Sequence, residues 1–337
     1  MNKSNVISGY LYNYNLLTRI FRKMKKWVVA ILVIIVLIAI GSFYPITQNS
    51  TINISATFEN TILQVIHIDN WKNWYPEVKK AYETNPADYS IKKDSSQKIY
   101  TITIPGRKIN IHQVTPMSYE VNEVGGAVEN NFAFTVFPGG SHKMMKIFLV
   151  RKAPLIYSLF RDKNIGENTL QGLKYYLETP KELYGFDIKM SEIRDPVIAS
   201  SVFKTKKGNI FIKIQGTYNE LMQYLKENKL IKTGHVSISY IPIMGDSLQV
   251  TVGVPVNKSA PSGKEIKCLS LPAKGRVLVG NYDGKFSDRQ KIYNAMTKYL
   301  TDHNLAIPAE SFERYLNDSI PTSESSEIRM ELDYPVY

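Results

Sequence analysis

Negative charge is missing from the start of this chain: no Asp or Glu occurs before Glu59, while Lys3, Arg19, Arg22, Lys23, Lys25 and Lys26 all do. Cysteine is nearly absent too. Cys268 is the sole one in 337 residues, so an intramolecular disulfide is excluded. No cysteine stands directly after the first apolar segment, which excludes a lipoprotein anchor there. Cys268 sits in Ile266-Lys-Cys-Leu-Ser-Leu271, which reads as a buried strand more than as a reactive thiol. The five histidines, His67, His112, His142, His235 and His303, lack metal-ligand spacing. There is no nucleophile elbow, no Gly-rich phosphate loop and no HExxH. No cofactor and no metal are expected. Nor does any Lys/Arg block after Lys26 run long enough to track a phosphate backbone. Half of the net charge of +12 sits in the N-terminal flank, so no nucleic-acid partner is expected. Lys204-Thr-Lys-Lys207-Gly reads as a solvated turn between strands.

What is present begins with an apolar run. Trp27 to Ile40 is unbroken, and residues to Ile46 extend it. Together they reach the roughly 20 residues a helix needs to cross a hydrocarbon core. Trp27 and Tyr44 stand near its ends, where amphipathic rings favour the membrane interface. The basic flank, residues 1–26, predicts a cytoplasmic tail. Everything after Ile46 is then expected on the far side of a bacterial inner membrane, periplasmic or extracellular. The strictly apolar core is also short enough for a cleaved signal peptide, although Phe43-Tyr44-Pro45 is a poor cleavage site. Met24-Lys25-Lys26 looks like a signal-type beginning, which leaves Met1 or Met24 open as the start.

Thr47 to Ser50 reads as a polar tether. Thr51 to Ala56 alternates as a strand does, and Glu59 to His67 reads as a helix. Period-two runs follow at 89–93, 98–104, 108–114, 118–124, 131–137 and 143–150. Turn clusters Pro105-Gly106-Arg107, Gly125-Gly126 and Pro138-Gly139-Gly140-Ser141 separate them. Strands joined by tight turns make an antiparallel sheet. The period then changes: Ile165, Leu170, Leu173, Tyr176 and Leu177 share a helical face within 164–183. This arrangement resembles the helix-grip superfamily of START-like lipid-transfer domains and polyketide cyclases (SRPBCC). Carrying the resemblance are Ser55-Ala-Thr-Phe-Glu59, Trp71-x-x-Trp74-Tyr75-Pro76 and Gly172-Leu-Lys-Tyr-Tyr-Leu-Glu178, across residues 51–186. It implies an apolar cavity between helix and sheet, with Trp71 and Trp74 as wall packing.

The second half repeats itself. Gly216-Thr-Tyr218 precedes a helix ending Tyr224-Leu-Lys-Glu-Asn-Lys-Leu230. Gly284-Lys-Phe286 precedes one ending Tyr299-Leu-Thr-Asp-His-Asn-Leu305. Each is followed by a strand pair closing on Pro-Val, at Pro255-Val256 and Pro335-Val336. Strands at 209–215 and 275–281 are expected to open the two units. The period is on the order of 75 residues, right for a duplicated β-α-β-β domain and too long for a solenoid. Paired units bury their helix faces together and leave a groove along the pseudo-two-fold axis.

These residues look like the gyrase-inhibitor-like effector-binding domain, known also from multidrug-sensing transcription regulators. The resemblance covers residues 195–337. Its motifs are Leu271-Pro272-Ala273, Tyr282-x-Gly284-x-Phe286, Glu313-x-Tyr315-Leu-Asn-Asp318 and Tyr334-Pro335-Val336. It implies a groove for small, often cationic and aromatic molecules. Glu313 would neutralise the ligand, and Tyr240, Tyr282, Phe286 and Tyr315 would line the groove. The alternative is that Glu313 pairs with Arg314, Arg276 or another cation and Tyr282 is core. Phe286 stands where tyrosine is common in that family.

The expectation is thus an α+β chain: membrane helix 27–46, helix-grip domain 51–186 and effector-binding domain 195–337. Its expected function is binding a small hydrophobic or cationic molecule for sensing, sequestration or transfer. One alternative is hydrolysis of a reactive small molecule by Glu313 and Tyr282. The other is a scaffold for a protein partner, its cavities filled by side chains.

Overall fold

The computed structural model describes residues 24–41, 45–125, 130–140, 143–154, 165–263, 265–272, 274–316 and 320–337. The basic tail before Met24, Phe43-Tyr44, Gly126, Ser141, His142, Ala273 and Asn317-Asp318 lie outside the described residues. The chain divides into two compact units, Met1–Tyr175 and Tyr176–Tyr337.

Helix α1 spans Met24–Gly41 and is long and apolar enough to cross a membrane, with mean hydropathy 2.4. It ends sooner than the apolar run does. Pro45 cannot continue a helix, and Ile46 belongs to the strand that follows. That strand, β1 (Pro45–Ile54), pairs along its whole length with β7 (Met145–Pro154), from Pro45 opposite Pro154 to Ile54 opposite Met145. The expected tether at 47–50 is therefore strand: an edge partner for those backbone groups outweighs the polar side chains.

Three helices follow, α2 (Phe58–Ile66), α3 (Trp71–Trp74) and α4 (Pro76–Thr84). The Thr57 side chain caps α2 by accepting from the Asn60 N–H at 3.2 Å, one of the donors a helix start leaves unsatisfied. Pro76 opens α4, where a missing N–H costs nothing. A meander then runs through β2 (Ser90–Asp94), β3 (Ile99–Ile104), β4 (Arg107–Thr115), β5 (Ser118–Val124), β6 (Asn130–Pro138) and β7. The sheet order is β1-β7-β6-β5-β4-β3-β2.

Alternation puts Ile109, Ile111, Tyr119, Val121, Phe132, Phe134, Ile147 and Leu149 on the buried face. The rings of Trp71, Trp74, Tyr75, Tyr119 and Phe134 stack upon it, with neighbouring centroids 4.8 to 6.3 Å apart. Helix α5 (Ile165–Glu178) closes the layer. Gly172 lies against the Trp74 carbonyl, where a Cβ would collide. Lys174 Nζ donates to the Asn53 carbonyl at 2.8 Å. The long helix expected over 164–183 is broken. Pro180 starts a separate helix α6 (Pro180–Tyr184), which Gly185 ends in the left-handed region at φ 80°.

A buried polar chain crosses this unit. Tyr75 Oη donates to Glu123, Asn130 Nδ2 donates to the other Glu123 oxygen at 3.0 Å, and Arg151 donates to Asn130 at 3.4 Å. Burial first, and the Glu123 charge second, raise the Tyr75 pKa well above its ordinary value.

The second unit carries α6, β8 (Ile188–Glu192), β9 (Val197–Lys206), α7 (Ile210–Glu227), β10 (Ser237–Pro242), β11 (Ser247–Pro255) and β12 (Ile266–Ser270). After these come β13 (Arg276–Lys285), α8 (Gln290–Asp302), β14 (Phe312–Tyr315) and β15 (Glu327–Pro335). One antiparallel sheet takes the order β12-β9-β11-β10-β14-β15-β13-β8. Strand β8, before the expected start at 195, joins it beside β13. Cys268 lies half-buried on β12.

Element order β-α-β-β occurs twice, but the first copy is shifted from expectation. Its opening strand is β9, and residues 210–215 begin α7, so Gly216 lies inside that helix. Lys204 and Lys206 are strand residues, and Lys207 begins the turn into α7, not a turn between strands. The apolar string Ile210-Phe-Ile-Lys-Ile214 fits a strand as well as a buried helix, and length decides it. Helix α7 buries Ile210, Ile214, Leu221 and Leu225; α8 buries Ile292, Ala295, Met296 and Leu300.

Candidate ligand-binding site

Strand β14 is four residues long and central, with β10 on one side and β15 on the other. Successive side chains in a strand point to opposite faces. Glu313 therefore points to the helix-covered face with Tyr315, and Arg314 to the other face. Glu313 cannot pair with its sequence neighbour, and Arg276 lines a cavity on that other face. Strand alternation rules out Arg314, and the ion pair of Glu313 is made with neither Arg314 nor Arg276 but with another cation.

Arg289 takes that role. Its Nε donates to Glu313 Oε1 at 2.9 Å, and its Nη1 donates to the Phe286 carbonyl at 2.9 Å. Tyr293, one helical turn on, donates to the same Glu313 oxygen at 2.8 Å. Tyr315 Oη donates to Glu313 Oε2, and Tyr240 Oη lies 3.2 Å from Tyr315 Oη. The carboxylate is completely buried, while the Arg289 side chain keeps 22% of its surface exposed. Rings frame the guanidinium: its carbon is 3.4 Å from the Phe286 centroid and 5.3 Å from that of Tyr240. Phe211, in the first turn of α7, meets Phe286 edge-on at 5.3 Å.

Burial raises the Glu313 pKa, and Arg289 and the three hydrogen bonds pull against that rise. Burial is the largest single influence on Arg289 and opposes its charge, but Glu313, Tyr240 and Tyr315 together outweigh it and the guanidinium pKa ends up raised. Tyr240, Tyr293 and Tyr315 are pushed well up, first by burial and then by the Glu313 charge. The tyrosines are donors here, not bases.

Of the expected residues, Glu313, Tyr240, Phe286 and Tyr315 come together. Tyr282 does not join their hydrogen-bonded group: its hydroxyl donates to the Lys285 carbonyl at 2.6 Å. Sequence reasoning missed Arg289 and Tyr293. One signal was there. A cation at a helix N-terminus opposes the helix dipole, and Arg289 directly precedes α8. Such a placement asks for a compensating acid elsewhere.

Residues 201–336 match the GyrI-like small molecule binding domain. That stretch of the second unit is thus similar to a small-molecule-binding domain by sequence. Among solved structures, the EcmrR C-terminal domain is 18% identical, with a TM-score of 0.38 over 45% of this chain and 98% of that one. EcmrR in a DNA complex is 17% identical, with a TM-score of 0.39 over 54% and 75%. A hydrolase from Listeria innocua is 12% identical, with a TM-score of 0.32 over 44% and 92%. Comparison with curated protein sequences finds no match.

A concavity opens on the other face of this sheet, with a volume of about 490 Å³. Small residues Ser200, Ser237, Ser239 and Gly253 form its floor, and Leu271 and Phe312 stand among its walls. Beside it, Arg314 binds Asp333 and, at 3.2 Å, Glu331. The second Asp333 oxygen is buried without a partner.

Proposed function

We propose that this chain is a membrane-anchored, extracytoplasmic binder of small aromatic or apolar molecules, which it senses, sequesters or transfers. The observation that carries the reading is Glu313, fully buried under Arg289 and ringed by Tyr240, Tyr293, Tyr315 and Phe286, within a stretch matching a small-molecule-binding domain. A charged group in an apolar wall costs free energy that a structural role does not require. Binding sites commonly combine such a wall with a few convergent polar groups.

The anchor reading rests on α1 and its basic flank. Orientation follows from the excess of Lys and Arg on the N-terminal side. The helix-grip reading of the first unit is supported by its strand order and by α2 to α4 inserted after β1. A closing α5 held at Gly172 adds to it. There the stacked rings favour side-chain filling over a large cavity.

Duplication in the second unit is supported by paired details. Leu230 N–H donates to Leu225 O as Leu305 N–H does to Leu300 O, and Val256 N–H donates to Val197 O as Val336 N–H does to Arg276 O. Hydrolysis by Glu313 and Tyr282 has less support, because the Tyr282 hydroxyl is engaged elsewhere.

A second reading places the ligand in the 490 Å³ cavity across the sheet, favoured by its size. Thermal-shift screening of the full chain in detergent, beside Glu313→Gln and Ser237→Leu, separates the two. Ligands that stabilise wild type and Ser237→Leu but not Glu313→Gln support the Glu313 groove. The reverse pattern moves the site to the other face, and no stabilisation by any compound removes the binding proposal.

A further inference from the structure

The buried Glu313 carboxylate already has a cation beside it, and it is the protein's own. Arg289 lies where a cationic aromatic ligand of this carboxylate would lie. Its Nε is 2.9 Å from Glu313 Oε1, and its guanidinium carbon is 3.4 Å from the Phe286 centroid. Glu313 Oε1 accepts two hydrogen bonds and Oε2 accepts one. Little of the carboxylate is left for an incoming ammonium. Glu313 is fully buried, whereas the Arg289 side chain keeps 22% of its surface exposed. Nη1 is held by the Phe286 carbonyl, and among the described residues Nη2 has no hydrogen-bond partner. The helix α8 N-terminus lies beside it, and its dipole favours an acceptor rather than a second cation.

We infer that Arg289 determines the charge class of the ligand. With the cation seat filled from within, the groove takes aromatic molecules bearing an anionic acceptor, such as a carboxylate, and rejects lipophilic cations. This rests on the ligand-site reading above. Arg289 here is a specificity-determining residue: it neutralises Glu313 with one edge and offers the other to the ligand. A bidentate contact to a carboxylate suits a guanidinium better than an ammonium. Bringing a second cation against it, in a site of low polarity, is strongly disfavoured.

Two xanthene dyes of opposite charge test this, fluorescein as the anion and rhodamine 6G as the cation. Binding is measured by fluorescence polarisation with the full chain in neutral detergent. The proteins are wild type, Arg289→Met and Arg289→Met/Glu313→Gln, each checked for folding by circular dichroism. Wild type is expected to bind fluorescein about tenfold or more tighter than rhodamine 6G. Arg289→Met is expected to reverse that order, and the double variant to lose the preference. Calorimetry in two buffers of different ionisation heat adds a readout that a packing defect would not move. Rhodamine 6G binding to Arg289→Met should release a proton from Glu313, and binding to the double variant should not. Wild-type preference for rhodamine 6G, or no reversal in Arg289→Met, overturns the role of Arg289 and leaves the groove as a site. Failure of both dyes to bind any of the three proteins removes the groove as a ligand site, and this inference with it. Should Arg289→Met not fold, the double variant, which buries no unpaired carboxylate, must lose the fluorescein preference for the inference to stand.

Discussion

Asp333 shows how a single carboxylate couples this domain to pH. It is completely buried on the face away from Glu313, and burial raises its pKa to about 6 despite the Arg314 cation, with the Glu331 charge adding to the rise. An unfolded aspartate titrates near about 3.9. Between those values the folded protein holds a proton that the unfolded chain has released. The contribution of Asp333 therefore falls as pH rises from about 4 to about 6. Asp333→Asn is expected to remove it. Urea titrations of both proteins at pH 4 and pH 6 should show wild type losing roughly 2 kcal/mol more than the variant across that window. Equal slopes would mean Arg314 holds Asp333 ionised throughout. Phe286 makes a second test at this scale. Removing a ring that is buried and stacked on Arg289 should cost about 3–5 kcal/mol, read from the denaturant midpoint.

At the scale of elements, the two helices of the second unit end alike. Tyr224 to Leu230 and Tyr299 to Leu305 have the same hydrogen bonds, and the turn residues Lys229 and Asn304 have φ of 51° and 50°. Left-handed backbone costs most L-residues about 1 kcal/mol, and Asn less. Lys229→Gly should therefore stabilise by roughly 0.5–1 kcal/mol and Asn304→Gly by less. A destabilised Lys229→Gly would show that the lysine chain makes a compensating contact. These ends were legible in the sequence because the cap is local. Their starts were not. Residues 210–215 carry apolar groups too densely to show a helical period, so strand and helix both fit until the burial of Ile210 and Ile214 against the sheet decides. The polar stretch before Thr51 was misread for a related reason. A strand's membership is set by the partner it finds, here β7, and that partner lies about 100 residues away.

For the molecule as a whole, the division at Tyr175 predicts two separable unfolding events. Calorimetry of the full chain in detergent should show two transitions. Gly172→Val, which forces a side chain against the Trp74 carbonyl, should lower one, and Phe286→Ala the other. A single transition that both variants shift equally would show that the units unfold together. By itself the sequence determined the apolar first helix, the antiparallel meander, the paired helix endings and the Glu-x-Tyr motif at Glu313. All of these depend on local period, turn chemistry or a short motif. Tertiary structure alone decided the partner of that glutamate. Strand alternation turns Arg314 to the opposite face, and the fold then brings in Arg289 from the start of α8, 24 residues earlier. The same choice holds Tyr282 on Lys285 and puts Tyr293 against Glu313. No spacing rule links residues 289, 293 and 313, because a helix and a strand meet there across a sheet whose order is set by burial.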